Sequence, residues 1–296
     1  TIINSNSMKI LVTGSSGFIG CNLIKQLKEQ HTIIEADIAI GIDLCDKEQV
    51  DDLPDVDMIY HLAMINNTGR FYTNPYDIIE NSYLPLHNIL KRYKGIPIIY
   101  TSSSEAYAGT VQQKWAKVPT NENVLLSIED ITNPRWSYGA SKIIGESMVV
   151  AANVQWETPY KIIRYHNIYG PGQKNHFIPE FIERCLTGIY ELYGYDNTRS
   201  FCYIDDAINA TMLYAESTTW NDIIHIGNNT EHKIEDIAKM ILHIMDIDAK
   251  IILYPSPAGS VLRRCPDITK LKQLGYTPQY TLEEGLKRIL AIDYAQ

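Results

Sequence analysis

Tyr138 and Lys142 stand four residues apart in Tyr138-Gly139-Ala140-Ser141-Lys142, a spacing that puts both side chains on one face of a helix. A phenol titrates near ~10 and is a poor base at neutral pH. A lysine ammonium beside it favours the phenolate, and the pair can then take a proton from an alcohol. Upstream, an apolar run ends in Thr101-Ser102-Ser103-Ser104-Glu105-Ala106-Tyr107. A hydroxyl at such a strand end can share a hydrogen bond with an alcohol and the phenol. Taken alone, the Tyr/Lys pair also fits a solvated helix face, and the serines also fit an ordinary turn.

A second constellation lies near the start, in Gly14-Ser15-Ser16-Gly17-Phe18-Ile19-Gly20. It follows the strand-like Lys9–Thr13 and precedes helical spacing from Asn22 to Lys28. A strand, a glycine turn and a helix start make a pyrophosphate cradle: backbone N–H groups approach the phosphates and the helix N-terminus adds partial positive charge. The spacing is Gly-x-x-Gly-x-x-Gly, and by itself it also fits a turn without a ligand. Asp37 lies 17 residues beyond Gly20, at the end of the next strand-like run. A carboxylate there accepts from ribose hydroxyls and repels a 2′-phosphate, which favours NAD over NADP. The alternative is a strand-end turn aspartate. Glycine turn, strand-end serine and Tyr/Lys helix in this order support one another.

Bulk properties exclude several classes. The chain has 296 residues, 45% hydrophobic, enough for one large domain or two closely joined ones. A net charge of −9 with no Lys/Arg block argues against nucleic acid and anionic membrane as partners. No apolar stretch is long enough for a membrane span. The five cysteines are scattered without a Cys-x-x-Cys pair, which reads as reduced cytoplasmic thiols and no metal site. Residues 1–7 read as a tail ahead of Met8, without the apolar core of a secretory signal.

The elements that must position these residues alternate. Strand-like runs at His31–Asp37, Met58–Ala63, Pro97–Ser102, Tyr160–Arg164 and Asp222–Gly227 are separated by helical spacing. This rhythm predicts an α/β fold, a Rossmann-type doubly wound parallel sheet covered on both faces. The last third is richer in helices and reads as a smaller substrate-binding cap. The expected division is residues 8–169 plus 200–227 for the sheet domain, and 170–199 plus 228–296 for the cap.

With these motifs in place, the chain resembles the extended short-chain dehydrogenase/reductases of the nucleotide-sugar epimerase/dehydratase family, from Lys9 to about Tyr294. The resemblance implies a catalytic set of Ser103, Tyr138 and Lys142. It implies that Gly14, Ser16, Gly17, Phe18, Ile19 and Gly20 hold NAD with Asp37, that Asp43 and Leu44 lie beside adenine, that Leu62, Ala63 and Met64 line the cofactor, and that Asn81 lies near the central strands. Arg164-Tyr165-His166-Asn167-Ile168-Tyr169-Gly170-Pro171 is similar to the family's R-x-x-N-x-Y-G-P segment. The same register assigns Ser104, Asn167, His176 and Phe177 to a nucleotide-diphosphate sugar, and Arg199, Arg264 and Asp267 to its diphosphate and ribose. A cytoplasmic homodimer built on helices around 87–93 and 141–152 is also implied. The chain departs from the pattern in the short Asp37–Asp43 stretch, in Tyr107-Ala108, and in His176 where the family often has Asn.

The shared first step implied is oxidation at C4 of the sugar. The reading expected first is a nucleotide-sugar epimerase; a 4,6-dehydratase or a uronate decarboxylase using Glu105 is the alternative. An NADP(H) ketoreductase and a non-catalytic NAD-binding protein stand further off, the first opposed by Asp37 and the second by the intact Tyr138 and Lys142.

Overall fold

A computed structural model describes residues 7–66 and 68–294; residues 1–6 of the expected tail lie outside them. Five strands, β1 (Lys9–Thr13), β2 (Thr32–Ala36), β3 (Met58–His61), β4 (Ile98–Ser103) and β5 (Tyr160–Tyr165), join Asp222–Ile226 in a six-stranded sheet. The order across it is Asp222–Ile226, β5, β4, β3, β1, β2, and every neighbouring pair is parallel. The doubly wound sheet expected from the element rhythm is therefore the one found. Its strands are apolar runs because both faces are covered. Ile10 and Val12 pack into one apolar cluster, while Leu11, between them, packs into another with Leu86, Ile89 and Val149, the two-residue period of a strand.

The chain leaves β1 for the edge at β2, then crosses back to β3 on the other side of β1. At this reversal the loops after β1 and β3 diverge and open a crevice at the carboxyl ends of the strands. No strand forms between Asp37 and Asp43. Ile38–Ile40 makes a single 3-10 turn instead, so β2 is the sheet edge.

Beyond β5 come the helix Phe177–Leu186, a two-stranded pair of Glu191–Tyr193 with Ile252–Tyr254, and a three-stranded sheet of Glu231–Lys233, Thr198–Ser200 and Arg263–Arg264. The helices Ile234–Ile244 and Leu282–Asp293 pack around them. Ile10 and Val12 share one apolar cluster with Phe181, Leu192, Ile237 and Leu286, so the C-terminal elements are continuous with the sheet's own core. No described helix is long and apolar enough to cross a membrane.

One buried carboxylate aligns the elements that carry Ser103 and Tyr138. Glu146, on the helix Ser137–Trp156, accepts hydrogen bonds from Ser102 Oγ at 2.6 Å, Arg164 Nε at 2.8 Å and Arg164 Nη2 at 2.8 Å. Ser102 belongs to β4 and Arg164 to β5. Glu146 lies one turn beyond Lys142, so the contact sets the height of the Tyr/Lys face above the end of β4. Glu146→Ala strands a guanidinium that is almost wholly enclosed. It is expected to lower unfolding stability by about 3–5 kcal/mol, read as a shift in the urea midpoint. A loss below about 1 kcal/mol would reduce this contact to the value of a surface pair.

Candidate active site

A single cavity of about 1340 Å³ runs from the glycine turn to the short strand Arg263–Arg264. It exceeds the ~300–1,000 Å³ usual for one ligand and has room for two placed end to end. Gly14, Ser16, Gly17, Phe18, Ile19 and Gly20 line one end, with Leu62 and Met64 opposite.

Backbone geometry explains the glycines. Gly14 has φ +68, a left-handed conformation open mainly to glycine, and a Cβ there would sit 2.8 Å from the backbone N of Ala63. A Cβ on Gly20 would sit 2.2 Å from the Gly14 carbonyl oxygen, so the helix Phe18–Leu27 can approach the turn only without one. The helix N-terminus thus faces the cavity with its partial positive charge. Asp37 stands beside this turn: its Oδ2 accepts from Ser16 N at 3.0 Å and its Oδ1 from Ala39 N at 2.9 Å. A side-chain-free turn, a helix start and an adjacent carboxylate fit the pyrophosphate and ribose of NAD.

Other residues expected around the cofactor are not on this wall. Ala63 packs against Gly14 and donates its N–H to Thr13 Oγ1 at 3.2 Å. Leu44 is buried. Asp43 accepts from Cys45 N at 2.9 Å, and Asn81 donates to Asp77 O at 2.8 Å.

Ser103, Ser104, Glu105, Tyr138 and Lys142 meet midway along the cavity. Ser103 closes β4; its hydroxyl accepts from Glu105 N at 3.2 Å and is close enough to Tyr138 to favour its ionised form. Phe71 stacks on the Tyr138 ring with centroids 4.9 Å apart. Lys142 Nζ donates to Thr101 O at 2.5 Å and lies 5.8 Å from the Tyr138 ring centroid. Lys142 was expected to favour the phenolate together with the positive nicotinamide ring; within the chain itself, burial first, and then the Glu105 carboxylate, push Tyr138 above its ordinary range. Burial also lowers Lys142 to about 7 against the opposing pull of Glu146. Burial and Glu105 thus oppose ionisation of the phenol, and the positive nicotinamide ring is the charge that would favour it.

Beyond the phenol lies a charge cluster. Glu105 is buried and held by two arginines: Arg135 Nη1 at 2.8 Å and Nη2 at 2.9 Å in a two-pronged contact, and Arg264 Nη2 on the same carboxylate. Burial alone would raise the Glu105 carboxyl, but Arg264 and Arg135 outweigh it and hold it at about 2. Arg199 lies beside them and, among the described residues, donates only to the carbonyls of Thr198, Val261 and Leu262; burial brings it down to about 9. Three guanidiniums thus face one carboxylate. Arg135 has no place in the sequence reading. It sits one turn ahead of Tyr138, in Pro134–Trp136, and that three-residue spacing was the available signal.

Among the remaining candidates, Asn167, His176 and Phe177 line the cavity. Asn167 Nδ2 donates to Ser200 O at 2.9 Å, and burial lowers the His176 imidazole. Asp267 is not on the wall. Its Oδ1 accepts from Thr269 N at 2.8 Å, just ahead of the helix Thr269–Gln273. No group of three or more His, Cys, Asp or Glu among the described residues could hold a metal ion. The wall can therefore seat a dinucleotide at the glycine end and an anion at the arginine end, with a hydroxyl–phenol–ammonium set between them.

Residues 10–227 match the NAD dependent epimerase/dehydratase family. The chain is 30% identical to a UDP-N-acetyl-alpha-D-glucosaminuronate decarboxylase of Bacillus cytotoxicus, over 95% of this chain and 96% of the relative. It is 28% identical to a putative UDP-glucose 4-epimerase of Methanocaldococcus jannaschii, over 95% and 97%. The crystal structure of a UDP-glucose 4-epimerase with UDP-glucose from Thermotoga maritima superposes with a TM-score of 0.84 at 26% identity, covering 97% of this chain and 98% of that one.

The Glu105 clamp makes stability depend on acid. Its carboxyl lies at about 2 in the folded chain against an ordinary 4.5. The contribution is complete above pH 4.5 and drains away as pH falls toward about 2. Urea unfolding across this window is expected to show a falling stability for the natural chain and a flatter slope for Glu105→Gln. Equal slopes would deny the clamp its ionised carboxylate.

Proposed function

The chain belongs to the NAD-dependent epimerase/dehydratase family, and from that premise we propose that it removes the carboxyl group of a UDP-linked uronic acid through a transient 4-keto sugar. One observation carries this reading: at the far end of the cavity Arg135, Arg199 and Arg264 surround the single carboxylate of Glu105. Glu231, another nearby carboxylate, is taken by Arg263 at 2.7 and 2.9 Å. Arg199 remains for the diphosphate that every UDP-sugar carries, whereas Arg135 and Arg264, both on Glu105, match a uronate carboxylate with their planar forks, which moves Arg264 from the diphosphate to the sugar. The decarboxylase relative of Bacillus cytotoxicus supports the same choice.

NAD, when bound, supplies the hydride acceptor and a positive charge near the phenol. Tyr138 takes the proton of the C4 hydroxyl, with Ser103 orienting that hydroxyl and Lys142 standing behind the ring. Arg135 and Arg264 hold the carboxylate beside the new ketone. The C5–C6 bond breaks to release carbon dioxide, its electron pair passes into an enolate across C4–C5, and C5 takes a proton. Return of the hydride to C4, with a proton to its oxygen, gives the pentose. Asp37 stands where it accepts from ribose hydroxyls and repels the 2′-phosphate of NADP.

Decarboxylation thus moves ahead of the epimerisation expected first. Dehydration falls behind both, because it needs Glu105 as a free base and the carboxylate is locked between arginines. Epimerisation at C4 of a uronate is the second reading, supported by the same arginines and by the epimerase neighbour. Exposed apolar residues on the helices Pro75–Arg92 and Ser137–Trp156, among them Tyr76, Tyr83 and Val154, support the proposed homodimer. Free thiols at all five cysteines support the cytoplasm as its compartment.

Incubation with UDP-glucuronate, its N-acetylated counterpart and UDP-glucose, followed by NMR, decides among the reactions. The expected product is a pentose nucleotide with release of carbon dioxide. A C4 epimer that keeps its carboxyl group would select the second reading. Turnover of UDP-glucose alone would remove the uronate.

A further inference from the structure

Resting on the uronate reading, we propose that Glu105 occupies the binding place of the substrate's own carboxylate, and that an anionic sugar enters by taking Arg135 and Arg264 from it. The contacts of Glu105 are those of a replaceable group. Among the described residues, its carboxylate oxygens hydrogen-bond only to Arg135 and Arg264. No backbone N–H or hydroxyl holds it, so an equivalent carboxylate presented to the same two forks loses nothing. All three side chains line the cavity. Arg199, by contrast, is committed to backbone carbonyls and offers no carboxylate for exchange. Arg135 is on this account the residue that selects a uronate over a neutral sugar.

Exchange changes the state of Glu105. The groups facing it are Arg135 ahead of the helix Ser137–Trp156, Arg264 on Arg263–Arg264, Arg199 on Thr198–Ser200, and Tyr138. Once Arg135 and Arg264 hold the substrate, burial is the dominant influence left on Glu105, and burial raises its carboxyl. Glu105 then binds one proton from solvent as the uronate binds, and gives it up when the arginines return. A neutral sugar nucleotide leaves the clamp closed and binds no such proton.

Isothermal calorimetry tests this in the Tyr138→Phe protein loaded with NAD, which binds without turning over. UDP-glucuronate and UDP-glucose are titrated in two buffers of different ionisation enthalpy near pH ~6. UDP-glucuronate is expected to bind ~tenfold more tightly and to take up more protons than UDP-glucose. Glu105→Gln in the same background is expected to tighten UDP-glucuronate a further ~tenfold, hold UDP-glucose within ~twofold, and erase the extra uptake. A uronate preference with equal proton uptake for both ligands would overturn the exchange and leave the substrate reading standing. Equal affinity for both ligands would overturn the substrate reading and the exchange together. If Glu105→Gln fails to fold, the proton count in the chain with Glu105 intact still decides.

Discussion

A carboxylate enclosed between three elements holds the reactive geometry together. Glu146 takes hydrogen bonds from Ser102 and twice from Arg164, so β4, β5 and the helix Ser137–Trp156 cannot slide without exposing a buried charge. Removing one partner of such a pair is far more costly than replacing both. The Tyr138 and Lys142 face inherits its position from this contact, as does Ser103 one residue beyond Ser102.

The second buried carboxylate differs in what surrounds it. Glu146 is shared between a hydroxyl and one arginine inside the fold, with no place on the cavity wall. Glu105 stands on that wall with arginines alone. The two also act differently on the reactive groups. Glu146 supports the charge on Lys142, whereas Glu105 opposes ionisation of Tyr138.

The reversal of strand order between β1 and β3 puts the two halves of the chemistry in one crevice. The glycine turn follows β1, Leu62 and Met64 of the wall follow β3, and Ser103 ends β4, all at the same edge of the sheet. The helices and short strands beyond β5 close the far side with Arg199 and Arg264, and they share an apolar cluster with the sheet.

Much of this was readable along the chain, because the signals were local. Alternating apolar runs announced a parallel sheet, the glycines of 14–20 announced a tight strand-to-helix turn, and a four-residue spacing put Tyr138 and Lys142 on one face. Each depends on backbone periods within a few residues. The arginine clamp did not have that property. Glu105 meets Arg135 across 30 residues and Arg264 across a far longer stretch, and no period links such positions. Asp267, assigned by register to the substrate, accepts locally from Thr269 N and is not on the cavity wall. The ionisation of Tyr138 was equally unreadable, since burial and a neighbouring carboxylate exist only after folding. Fold class and the hydroxyl–phenol–ammonium set thus follow from short-range order in the residues, while the charge at the sugar end, and with it the preferred reaction, arises from contacts that chain folding alone brings within hydrogen-bond reach.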